Sequence, residues 1–178
     1  MRYLAELHYF EQADFPVRKA VLVTAIAVAQ GCRHCYARIL APRTPSLPTK
    51  TRSGVLPADP RAKEAFVADL VGWLFEHSRF EDPFCLLLDD RPLPRRDGVA
   101  RFDHHDHTSS WVLNLSAEAF AALQERWQAE GLPTDLFYPE DQTRCVPYPG
   151  RGFWPTLWRR LGAQKCYTPK QWEAEGKR

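Results

Sequence analysis

Residues 101–111, RFDHHDHTSSW, place three histidines and two aspartates in the five positions from Asp103 to His107. Imidazole nitrogens and carboxylate oxygens together form a ligand set used by zinc, iron(II) and manganese. Continued as an extended strand, the stretch puts Asp103, His105 and His107 on one face, because side chains alternate along a strand. One divalent metal held there, zinc or manganese, would lower the pKa of a bound water and supply a nucleophile for hydrolysis of a phosphodiester. Asp106 within the cluster, or Asp89 at the end of a neighbouring strand, would be the base. The competing reading is a polar hairpin that binds nothing. In it Phe102 faces Leu113 and His104 faces Trp111, which gathers Ala100, Phe102, His104, Trp111, Leu113 and Leu115 on one side.

No fixed ligand motif such as H-E-x-x-H is present. His105-Asp106, with His77 upstream, resembles the ligand pair of the HD phosphohydrolases, but those ligands sit on helices and residues 98–115 have strand period. Asp103-His104 followed by Asn114 resembles an HNH nuclease, although the stretch between them is short for that ββα unit. A second candidate metal element is Cys32-Arg33-His34-Cys35, a C-x-x-C that is half of a zinc site. Cys145 and Cys166 would have to complete it, yet their spacing fits no standard knuckle. The alternative leaves Cys32 and Cys35 as plain thiols at a helix–strand junction. Five cysteines, an odd number without a secretion signal, predict reduced thiols and a cytoplasmic protein. Cys85, in FCLLLDD, reads as core.

The net charge of +2 is unevenly spread. Residues 1–58 carry eight basic and three acidic side chains, residues 59–142 eight and seventeen, and residues 143–178 eight and two. The C-terminal segment interleaves Arg151, Arg159, Arg160, Lys165 and Lys170 with aromatic residues, Trp158 among them. Basic groups neutralise phosphates and aromatic faces stack on unpaired bases, so the segment reads as a nucleic-acid-binding surface. Arg43, Lys50 and Arg52, in a basic loop, would join it. The bland alternative packs the tryptophans on a sheet and leaves the arginines solvated. Three function classes follow: a nucleic-acid-binding protein, which the charge favours; a metal-dependent hydrolase or nuclease; and a non-enzymatic subunit or inhibitor that docks on a protein of complementary charge.

The elements that would position these groups are legible in outline. Arg2–Phe10 alternates as a strand, and residues 16–30 form a helix entered at Pro16 and ended by Gly31. Cys35–Leu40 reads as a strand. Residues 41–60 hold five prolines, which predicts a long exposed loop over 41–58. Asp59-Pro60 starts a helix over 60–77 with Phe66, Leu70, Trp73 and Leu74 on one face. Residues 83–90, 98–105 and 109–116 read as strands. Ser116 then starts a helix carrying Phe120, Leu123 and Trp127, which Gly131 stops. A short strand, DLFY, and a helix from Phe153 complete the chain. The expected fold is α+β: one domain over 1–178, a mixed or antiparallel sheet, and three to four helices mainly on one face. The longest apolar run, Ala20–Ala29, is about half of what a membrane-spanning helix needs, so no membrane is expected.

Overall fold

Proline, aspartate and serine punctuate the chain where helices begin. Pro60 occupies a first helical position while Asp59 Oδ1 accepts from the Ala62 amide at 2.8 Å. Ser116 Oγ likewise accepts from the Ala119 amide at 3.2 Å. Each side chain satisfies a donor that has no partner inside its own helix. The computed structural model describes residues 1–5, 16–39, 50–77, 84–92, 98–105, 108–147 and 153–175. Their contacts divide into two compact units, Met1–Phe137 and Tyr138–Arg178. No described helix is long and apolar enough to cross a membrane.

The first unit runs β1 (Arg2–Ala5), α1 (Val17–Ala29), β2 (His34–Ile39), β3 (Lys50–Val55), α2 (Pro60–His77), β4 (Phe84–Asp89), β5 (Ala100–His105), β6 (Thr108–Asn114) and α3 (Ala117–Ala129). The strands form one sheet in the order β3-β2-β4-β5-β6-β1, antiparallel at each of these junctions. Phe137, the last residue of the unit, begins β7 (Phe137–Pro139). Cys35 and Ala37 on β2, Leu86 and Leu88 on β4, and Phe102 on β5 alternate onto one face, and all are buried beneath the helices. Eight of the thirteen residues of α1 are buried, as its position between α2 and α3 requires. Aromatic contacts close the far side: Phe120 stacks on Tyr3 at 3.7 Å and Trp127 on Phe137 at 5.6 Å.

Several expectations need correction. Residues 50–55, assigned to the proline-rich loop, form the edge strand β3, with Thr51 opposite Arg38 and Ser53 opposite Tyr36. No proline lies within 50–55, and the strand is almost wholly exposed, so it lacks the apolar alternation that marks half-buried strands. Its lysine and arginine suit an edge that must not pair further. Residues 41–49 and 6–15 lie outside the described residues. The β5–β6 hairpin pairs Phe102 with Trp111 and His104 with Ser109, two residues tighter than expected, because only Asp106 and His107 connect the strands. A slip of two preserves the faces. On α2 the buried stripe runs through Val67, Leu70, Val71 and Leu74, while Phe66, expected inside, is 37% exposed.

The second unit contains a one-turn 3-10 helix (Glu140–Gln142), β8 (Arg144–Pro147), α4 (Phe153–Arg160), β9 (Gln164–Tyr167) and α5 (Pro169–Ala174). With α5 the described helices number five, one more than expected. Its signal was present: Thr168 Oγ1 accepts from the Gln171 amide while the Gln171 side chain accepts from the Thr168 amide, a capping box. Strands β8 and β9 are antiparallel and set Cys145 directly opposite Cys166. The two form a disulfide, so the expectation of uniformly reduced thiols fails. Pairing of this kind depends on the intervening helix folding the chain back, which cysteine spacing alone does not reveal.

Candidate functional site

Asp103 is 3% exposed and sits on β5 directly opposite Cys85 of β4. Its Oδ2 pairs with the Arg101 guanidinium, and its Oδ1 has no hydrogen-bond partner among the described residues. Burial pushes the Cys85 thiol up to about 12, assisted by the Asp103 carboxylate, so this cysteine stays protonated. His105 follows two strand positions beyond Asp103, opposite Thr108. Asp106 and His107 lie outside the described residues. Asp89 stands four residues along β4 from Cys85, about 13 Å at the rise of a strand, so β4 does not bring it to Asp103. Among the described residues no three His, Cys, Asp or Glu side chains converge as a metal site would require.

The C-x-x-C places its thiols apart. Cys32 Sγ donates to the Val28 carbonyl at 3.4 Å and Cys35 Sγ to the Gly54 carbonyl at 3.6 Å. Burial pushes Cys32 up to about 12, with the Asp89 carboxylate adding to the effect, and burial also raises Cys35. Metal ligation would require each thiol to lose its proton. The carbonyl of Cys32 is itself used, accepting from the buried Lys63 ammonium at 3.1 Å, next to the end of α1, where a cation is favoured by the helix dipole.

Beside this junction the sheet carries a cavity of about 460 Å³ whose lining includes His34, Tyr36, Ser53, Leu87, Asp89 and Arg91. Register explains the grouping: β2 and β4 set His34 opposite Asp89 and Tyr36 opposite Leu87, and β3 sets Ser53 opposite Tyr36. Asp89 is 7% exposed. Its Oδ1 accepts from the backbone amides of Asp90 at 2.7 Å and Arg91 at 3.3 Å. Burial first, then the adjacent Asp90 side chain, raise its carboxyl above the usual range. A shifted acid in a concave, largely apolar pocket is a recurrent mark of binding or catalytic sites. Sequence reading singled out Asp89 alone among these residues. The period-two pattern His34-Cys35-Tyr36 was a usable signal, but its partners come from two other strands.

No family model, curated protein or solved structure matches the chain.

The basic candidates divide between the units. Lys50 and Arg52 are exposed on β3. Arg52 is paired with Asp69 at 3.0 Å and lies 4.9 Å from the Trp73 ring centroid, so part of its charge is met internally. In the second unit Arg160 and Lys165 are exposed and Lys170 is half-buried on α5. Lys165 lies over Tyr167 at 4.7 Å and reaches Glu175 at 3.5 Å. Arg144, which sequence reading passed over, is exposed on β8 with its guanidinium 5.8 Å from the Trp172 ring centroid. Trp158 and Arg159 lie in α4; Arg43 and Arg151 fall outside the described residues.

Proposed function

We propose that the protein binds nucleic acid through its C-terminal unit. The observation that carries this reading is a concentration of positive charge on a small, cross-linked element. Residues 138–178 hold eight Lys/Arg against four Asp/Glu, and Arg144, Arg160 and Lys165 are exposed. Such charges release counterions from a phosphate backbone, and that release supplies most of sequence-independent affinity. Half-buried Trp172, beside Arg144, adds an aromatic face on which an unpaired base can stack. The test is fluorescence anisotropy of a labelled oligonucleotide, single-stranded and duplex. Arg144→Glu with Arg160→Glu is expected to weaken binding by at least about tenfold. An unchanged affinity would remove the reading.

One observation favours a second reading, a metal-dependent hydrolase. Asp103 buries a carboxylate oxygen without a hydrogen-bond partner among the described residues, and buried polar atoms are normally satisfied. Asp103 with His105 and His107 would hold one zinc or manganese ion, and Asp106, their neighbour in sequence, would be the base. The Arg101 guanidinium on the same carboxylate opposes a second cation. Metal analysis of protein purified without a histidine tag is expected to give about one ion per chain, lost in His105→Ala. A metal-free protein, or one whose His105→Ala variant keeps its ion, would exclude this ligand set.

A further inference from the structure

The cavity at the β3–β2–β4 edge of the sheet is independent of the basic unit and has a chemistry of its own. Its floor is aromatic and apolar, because the strand register brings Tyr36 and Leu87 side by side across a strand pair. One end is polar: His34 and Asp89 occupy the next opposed pair on the same two strands. The Asp89 carboxylate is more than nine-tenths buried, and two backbone amides hold its Oδ1, which fixes the plane of the group. Such a carboxylate selects N–H donors, since a buried acceptor strongly prefers a partner to none. Ser53 adds a hydroxyl above Tyr36. At the rim Arg91, whose side chain is 61% exposed, makes among the described residues a loose 3.7 Å pairing with Asp90, and its guanidinium suits an anionic substituent. The cavity volume of about 460 Å³ falls within the usual range for small-ligand sites.

The geometry points to a binding site for a nucleoside monophosphate: a planar base lying on Tyr36 and Leu87, its N–H edge toward Asp89 and His34, its phosphate toward Arg91. The Asp89 acceptor alone would fit a simple amine equally well, but the aromatic floor and the cationic rim select a ring that carries an anion. This site lies in the first unit, so it stands or falls separately from oligonucleotide binding by the second.

Isothermal titration calorimetry of the full chain with each of the four common ribonucleoside monophosphates tests it. At least one is expected to bind saturably, and more tightly than its nucleoside. Asp89→Asn keeps an oxygen for the two backbone amides and replaces the other oxygen and the negative charge by an N–H donor, so affinity should fall at least about tenfold. Tyr36→Ala, on the floor, should cost a comparable factor and serves as the variant of record if Asp89→Asn fails to fold by circular dichroism. Absence of saturable binding by any of the four, or equal binding by the wild type and a folded Asp89→Asn or Tyr36→Ala variant, would overturn the assignment.

Discussion

The indole of Trp127 donates to Thr24 Oγ1 at 2.9 Å, and both side chains are buried to within 1%. A donor enclosed this completely has no water to fall back on. Thr24→Val keeps the shape and removes the acceptor, and is expected to cost about 1–3 kcal/mol in urea denaturation; an unchanged midpoint would show that the indole finds another partner. Trp127 was legible as core because Phe120, Leu123 and Trp127 repeat at helical spacing, and all three are buried. Phe66 was not, since its neighbours Val67 and Val71 compete for the same stripe and packing against α1 decides between them. The pocket residues were least legible. Nothing local in His34-Cys35-Tyr36 announces that Asp89, far along the chain, will be set opposite His34 by strand pairing.

At the scale of elements, stop signals proved as informative as periodicity. Gly131 adopts φ +69°, and the Leu132 amide reaches back to the Trp127 carbonyl at 2.8 Å, closing α3. A Cβ at Gly131 would meet nothing within 4 Å, so the cost of Gly131→Ala is conformational alone. A loss of about 1 kcal/mol is expected by thermal denaturation, and no loss would mean that the turn relaxes. Capped helices such as α2 and α3 were readable because caps and apolar spacing agree. Strand β3 was not, because an exposed edge strand has no apolar face, and flanking prolines dominate its composition. The β5–β6 hairpin was readable in kind while its register was misjudged by two, an error that hydrophobic alternation cannot detect.

For the whole molecule, charge and covalent chemistry meet in the second unit. The Cys145–Cys166 bridge spans 21 residues, a loop whose closure is worth about 3 kcal/mol to a folded state by chain entropy. Cys32, Cys35 and Cys85 remain free. Thiol titration of the denatured, unreduced chain should therefore find three thiols per molecule; five would contradict the bridge. Disulfides are rare and usually transient in the cytosol, so the count also bears on where the protein works. The asymmetric charge was readable directly from the sequence, whereas the bridge that presents part of it was not. The most direct test of the central claim is the salt dependence of oligonucleotide binding by the oxidised full-length protein. Binding by Arg144, Arg160 and Lys165 predicts that log affinity falls linearly with log salt concentration, with a slope of about −2 to −3, and that the slope shrinks when Arg144 and Arg160 are reversed in charge. Affinity that is absent at low salt, or indifferent to salt, would contradict it.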